Sequence, residues 1–311
     1  MVTVPSGWPD ATNTGYRNAA GYTGSLADGS AITIASNQTY NHLAFPPGLG
    51  VGSSTALVQN VTFNGCRFYG TNVGNALVVL FGDNITFNYC SFEPGVAAPP
   101  VPYNQSYQYG LAGNGGYYSV IQQLTVSHCD FWGFGNAIDT QGSTQAKPHL
   151  FEHNWIHDAA NDGGALYHTD GIGAESGAGT GSYVTMNHNT IISVGNTNGI
   201  AYQAGTYDHF TVTNNLLSGF GYTVAIWANT STIFTGNTCS TLLQPTYGPL
   251  YPQTFWTGGT SLWRNNKWKV PAGAAWGNPA HDGWFWIPTP GDLSSSGYND
   301  SSVVSLTDYT G

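Results

Sequence analysis

Apolar residues in this chain fall two apart, lose step by one residue and resume, and this unit recurs along most of the sequence. Written from its first inward position, it reads apolar, x, apolar, x, x, Asn or Cys, x, apolar. It occurs eight times: VTFNGCRF from Val61, ITFNYCSF from Ile85, LTVSHCDF from Leu124, HLFEHNWI from His149, VTMNHNTI from Val184, FTVTNNLL from Phe210, TIFTGNTC from Thr232 and SLWRNNKW from Ser261. The sixth slot holds Cys66, Cys90, Cys129, Asn154, Asn189, Asn215, Asn237 and Asn266, at spacings of 24, 39, 25, 35, 26, 22 and 29 residues. A short base period with occasional insertions marks a solenoid.

Apolar positions two apart, as at Val184 and Met186, predict a strand with one buried face. Asn189 and Ile191 are out of step with them by one residue, so a bend separates two short strands. A further strand follows in each repeat, as in NALVVLFG from Asn75, NAIDTQGS from Asn136, DGIGAESG from Asp170, NGIAYQAG from Asn198 and VAIWANTS from Val224. Helical periodicity is nearly absent. Strands joined only by turns at this period predict an all-β chain, a single parallel β-helix of about eight to ten coils with an Asn/Cys ladder at one bend. Right-handedness is the expected sense for parallel crossovers.

The coil N-V-T-F-N-x-C/N-x-F, with its stacked Asn or Cys, resembles the right-handed parallel β-helix superfamily that includes pectate lyases and polygalacturonases. The resemblance covers residues 55 to 270 and concerns fold more than chemistry, because one fold hosts many functions. The opening stretch VPSGWPDATNTGYRNAAGYTGSL is similar to the start of β-helix proteins of actinobacteria and their phages, especially phage minor tail proteins.

Of 311 residues, 41% are hydrophobic, enough to fill a solenoid core, and only 7% are charged. Net charge is −10, with six basic residues: Arg17, Arg67, Lys147, Arg264, Lys267 and Lys269. No basic stripe awaits a phosphate backbone, which argues against nucleic acid. A neutral glycan is easier to accommodate than a polyanion. No apolar run is long enough to span a membrane. No basic and apolar leader follows Met1, which fits either a trimmed secreted enzyme or a protein exported by assembly into a phage tail.

Residues 1–54 read as an N-terminal cap and first coil with a short strand at Ala31–Ala35, 55–270 as the β-helix, and 271–311 as an aromatic cap or tail. Two insertions interrupt the repeat, one from Glu93 to Tyr118 and one from His157 to Asp170; such excursions usually line a binding face. Three of the four cysteines share the ladder slot, so buried thiols pointing the same way are expected rather than disulfides.

Aligning the third strands by Ile138, Ile172, Ile200 and Ile226 places Asp139, Gly173, Ala201 and Trp227 next, facing out. Gln141, Glu175, Gln203 and Asn229 follow two residues on. This exposed strip of acids, amides and a Trp around a small-residue hollow suits sugar. Asp139 and Glu175, one coil and two residues apart, would sit about 8 Å apart along the backbone diagonal, a separation suited to inverting glycoside hydrolysis. HTDGIG, from His168, resembles the N-T-D-G motif of polygalacturonases, which implies a catalytic role for Asp170. The next coil reads NTNGIA, without the Asp-Asp pair, and the family's Gly-His-Gly and Arg-x-Lys do not occur; Asp170 equally begins its strand as Asn136 and Asn198 do. Catalytic candidates are thus Asp139, Asp170, Glu175 and His168, and binding candidates Gln141, Gln203, Trp227 and Asn229.

His153, His157, Asp158, Asp162 and His168 crowd the second insertion. No cofactor is expected there, although a structural divalent cation near Asp158 and Asp162 stays open. His128, His153 and His188 share the position before the ladder slot, where parallel rings do not converge on one ion. A lyase would want a cationic base, and only Lys147 is near. The expectation is a phage tail β-helix, a homotrimer by analogy with tail β-helices, located in the virion or extracellularly and engaging host surface glycan with cleavage open. The alternative is a secreted polysaccharide-degrading enzyme, a glycoside hydrolase before a lyase.

Overall fold

The computed structural model describes residues 2–70, 74–96, 98–99, 107–113, 121–160, 168–174, 183–202, 209–226, 231–240, 242–243, 246, 248–250, 260–264 and 266–268. Each coil lays down one strand in each of three parallel sheets. In one coil these are Gln122–Ser127, Asp130–Trp132 and Asn136–Thr140, which pair with His149–Glu152, Trp155–His157 and Asp170–Ala174 of the next. We call them the first, second and third sheets; among the described residues they hold nine, ten and eight strands. The first sheet therefore counts nine coils, within the expected range.

The one-residue loss of step is a column of left-handed backbone between the first and second sheets. Tyr89, His128, His153, His188 and Asn214 have φ between 50° and 55°, and Gly65 and Gly236 continue the column. A single left-handed residue turns the chain sharply without ending either strand. The next residue then points inward from the bend, where backbone groups need side-chain partners. Asn189 provides them: its Nδ2–H donates to the Phe151 carbonyl at 2.9 Å, and its Oδ1 accepts the Asn154 backbone N–H at 3.0 Å and its Nδ2–H at 2.9 Å. Asn215, Asn237 and Asn266 repeat the pattern. In the cysteine coils sulfur takes over, with Cys90 Sγ donating to the Phe63 carbonyl at 3.5 Å and Cys129 Sγ accepting the Cys90 N–H at 3.3 Å. All four cysteines are free and buried.

Inside, identical slots stack coil on coil. Phe68, Phe92 and Phe131 lie face to face at 4.8 and 4.2 Å between centroids, with Phe63 and Phe87 at 4.9 Å beside them. His149 takes the inward slot between Leu124 and Val184. Its Nδ1 accepts the Leu124 N–H at 3.1 Å, and burial pushes the imidazole down to about 4, so it is neutral.

Three expectations need correction. The Glu93–Tyr118 stretch is not wholly an excursion, because Tyr107–Gly113 is a third-sheet strand paired with Gly74–Leu80 and Asn136–Thr140. Ala31–Ala35 is not a strand; the chain pairs instead at Ala27–Asp28 and Thr39–Asn41. Finally, Val224 rather than Ile226 registers with Ile200, and Ile226 with Tyr202. Val224 and Ile226 are both apolar and two apart, so a slip by two keeps every side chain on its face and alternation alone cannot detect it. The 271–311 tail lies outside the described residues.

The N-terminal segment is a strap across the bend. Trp8 stacks on His188 at 5.2 Å and 15°. Gly15 N–H donates to the His128 carbonyl at 2.8 Å and Tyr16 N–H to Ser91 Oγ at 3.3 Å. A Cβ on Gly15, which has φ +75°, would lie 2.6 Å from Ser91 Oγ, so the strap's close approach requires glycine here.

Candidate functional site

The outer face of the second sheet carries two columns of side chains, set by the strands that follow the ladder. One runs Arg67, Ser91, Asp130, Trp155. The other contains Tyr69 paired with Glu93 and Trp132 paired with His157. Phe68, Phe92, Phe131 and Ile156 alternate with them and point into the core. With the strap's Ala11 and Arg17 and a rim of Val96, Ala98 and Pro99, these columns enclose a cleft of about 330 Å³.

Its charges are ordered. Arg67 Nε and Nη2 both donate to Glu93 Oε2, at 3.0 and 2.6 Å, and the guanidinium lies 4.5 Å from the Tyr69 ring centroid. His157 is 7% exposed and lies between two carboxylates, its Nε2 3.0 Å from Asp130 Oδ1 and its Nδ1 2.7 Å from Asp158 Oδ2. Burial alone would push its titration down, but the bonds to Asp130 and Asp158 outweigh it and hold the imidazole above its usual value. The bond from His157 in turn lowers Asp158. Burial raises Glu93 against the opposing pull of Arg67, and the Asp130 charge adds to the rise. Trp155 stacks on His157 at 3.5 Å between centroids. The cleft thus pairs Glu93, a carboxyl group raised by burial, with Asp130, whose Oδ1 lies 3.0 Å from His157 Nε2. Both sit next to aromatic surface.

Sequence reasoning did not select this cleft. Its signal lay in the repeat itself: the residues just after the ladder slot and two further on read Arg67/Tyr69, Ser91/Glu93, Asp130/Trp132 and Trp155/His157 in four consecutive coils. In the sequence His157 stands only in a crowded segment, and Asp158 stands there as a candidate neighbour of a divalent cation. Asp158 is engaged by His157, and among the described residues no three His, Cys, Asp or Glu side chains are placed to hold a metal. Asp162 lies outside those residues.

On the third sheet, Asp139, Gly173, Ala201 and Ala225 share one outward column, so Ala225 stands where Trp227 was expected. The strip is not exposed there: Asp139 is 0% and Gln141 5% exposed. Nor is Gly173 a hollow, since a Cβ on it would lie 2.4 Å from the Ala201 carbonyl oxygen. Asp170 is buried at the start of its strand, where Oδ1 accepts the Asn198 N–H at 2.7 Å and its Nδ2–H at 3.2 Å. His168 is exposed, and its backbone carbonyl accepts Gln108 Nε2–H at 3.3 Å. Glu175, Gln203, Trp227 and Asn229 lie outside the described residues. His128 and His153 stack at 4.6 Å and 9°, whereas the His153 and His188 rings, 4.9 Å apart, are tilted by 56°.

A sequence model described as the right-handed beta helix region matches residues 5–176, more than half of the chain. Comparison with curated proteins and with solved structures gave no match.

Proposed function

The chain belongs to the right-handed β-helix family, a fold consistent with carbohydrate-binding or carbohydrate-degrading proteins, and from that premise we propose that it engages an extracellular glycan through the second-sheet cleft. One observation carries the reading: a cleft of about 330 Å³ that joins Trp132 and Trp155 to Glu93, Asp130 and Arg17 on the flank of a solenoid. Aromatic faces stack on sugar rings while carboxylates and guanidinium groups take hydroxyls. The setting we favour is a phage tail, as a trimer bound to host surface glycan, supported by the similarity of the opening segment to minor tail proteins.

Glu93 and Asp130 support a second reading, in which the same cleft cleaves what it binds. Glu93, protonated in place of its ion pair with Arg67, would serve as the acid at the glycosidic oxygen and Asp130 would activate water, the division of labour of inverting hydrolysis. Incubation with purified actinobacterial cell-wall glycans, read by reducing-end release and by absorbance of unsaturated products, separates the readings. New reducing ends lost in Glu93→Gln and Asp130→Asn would establish a hydrolase, and unsaturated products a lyase. Binding without either would leave an adhesin, and no interaction with any glycan would end the proposal.

A further inference from the structure

The first sheet carries a regular polar grid on its outer face. Three consecutive coils read Asn-x-Thr-x-Asn, at Asn37–Asn41, Asn60–Asn64 and Asn84–Asn88, and a fourth reads Gln123-x-Thr125-x-Ser127. Thr39, Thr62, Thr86 and Thr125 register with one another, as do Asn41, Asn64, Asn88 and Ser127. Tyr40, Phe63 and Phe87 alternate with them and stack toward the core, so the threonines and asparagines face out, exposed or half-buried.

The amides are tied to one another. Asn60 Nδ2–H donates to Asn37 Oδ1 at 2.9 Å and Asn84 Nδ2–H to Asn60 Oδ1 at 2.8 Å; Asn64 and Asn88 donate in the same way to Asn41 and Asn64, both at 3.2 Å. Each bond uses one N–H and one lone pair, so every amide keeps others for a ligand. Local propensity accounts for only one of the two amide columns. Asn37, Asn60 and Asn84 sit in left-handed backbone with φ 60°, 56° and 51°, where Asn is enriched. Asn41, Asn64 and Asn88 instead close strands, where Asn is depleted. The grid itself is uncharged; Asp83 beside it is paired with Lys147, and Glu152 enters the Ser127 column only one coil later.

We propose that this grid binds a neutral, unbranched polysaccharide lying along the solenoid axis, as a second contact separate from the cleft. Its groups recur about every 4.8 Å from coil to coil and about every 6.6 Å along a strand, so its matching occupant is a polymer with repeating hydroxyls. Hydroxyls both donate and accept, as the amides and threonines do, and each bond lost to water is thereby replaced. The amides are already ordered by one another, which spares rotamer entropy on binding. A grid without cations, on a chain of net charge −10, does not hold a polyanion. Lacking an apolar centre, it does not suit a second copy of the chain. Arg67, Ser91 and Asp130 of the cleft follow Thr62, Thr86 and Thr125 in the same coils, but the strap runs along the bend between the two faces. There Gly15 N–H donates to the His128 carbonyl at 2.8 Å, and a Cβ on Gly65 would lie 2.7 Å from that of Ala19.

Depletion of the protein from solution by microcrystalline cellulose, chitin and insoluble β-1,3-glucan tests this, with Trp132→Ala as background to weaken the cleft. The background protein should still bind at least one of the three polymers. Competition should come from its soluble oligomers and grow with their length, because repetition of weak contacts supplies the affinity. Thr62→Lys with Thr86→Lys, on side chains outside the core, should lower affinity about tenfold, and the shape-preserving Thr62→Val with Thr86→Val about threefold, both at unchanged melting temperature. Binding to none of the polymers, or binding indifferent to both variant pairs, would overturn the proposal. So would a grid variant that changes the oligomeric state and not polymer binding. The grid variants leave the cleft intact and Trp132→Ala leaves the grid intact, so the two glycan readings fail separately.

Discussion

The second and third sheets are built by the same coils yet present opposite outer faces. The second-sheet face carries large charged and aromatic side chains around a cleft. The third carries Gly173, Ala201 and Ala225 beside a buried Asp139, with coils packed so closely that even a methyl group at Gly173 would meet a neighbouring carbonyl. A solenoid fixes which residues line up, and residue size then decides whether the aligned column becomes a wall or a cleft. Small residues that look like room for a ligand in a sequence can instead be the condition for close approach of backbone.

Both faces hang from the bend, so the largest effect on either is expected there. Asn189→Leu leaves the Asn154 donors and the Phe151 carbonyl unpaired and should cost about 3 kcal/mol, at 1–3 kcal/mol per stranded group. Cys90→Ala, in the same slot of a sulfur coil, should cost less than half of that, because thiol hydrogen bonds are weak; denaturant midpoints would compare the two. Equal costs would mean that the amides act only as space-fillers.

Next in size is the wall. Gly173→Ala should destabilise by about 1–3 kcal/mol, the usual cost of overpacking, whereas Gly7→Ala meets no atom within 4 Å. Gly7 has φ +91°, so that control should show only its own backbone strain. A neutral Gly173→Ala in thermal melts would restore the hollow.

The smallest effect separates the charges of the cleft from the imidazoles of the bend. His157 titrates above its usual value when folded, so its contribution is present below pH 6.5 and lost as pH rises through the folded value. His128 and His188 have the opposite sign and lose theirs as pH falls below 6.5. Melting temperature against pH should therefore decline on both sides, and Asp130→Asn should flatten only the alkaline limb. A change confined to the acid limb would contradict the assignment.

Much of this fold was legible in the sequence, because a repeated pattern reports the same geometry eight times. The ladder slots, the bend before them and the thiol stack could be read from Cys66 to Asn266. Register of the third strands was less legible: Val224 and Ile226 satisfy the same alternation, and the spacing between Cys90 and Cys129 hid the strand Tyr107–Gly113. The cleft escaped because its residues come from four coils and fill the variable slot after the ladder and the positions trailing the repeat, which carry no signature of their own. The expected strip failed to show as a surface because alternation tells which way Asp139 points and not what covers it.

The central claim is that glycan meets this protein on the second sheet. A crystal structure of the protein with a bound cell-wall oligosaccharide tests it most directly. The account predicts a sugar ring against Trp132, with hydroxyls on Glu93, Asp130 and Arg17; sugar seated over Asp139 and Gln141 on the third sheet would contradict it.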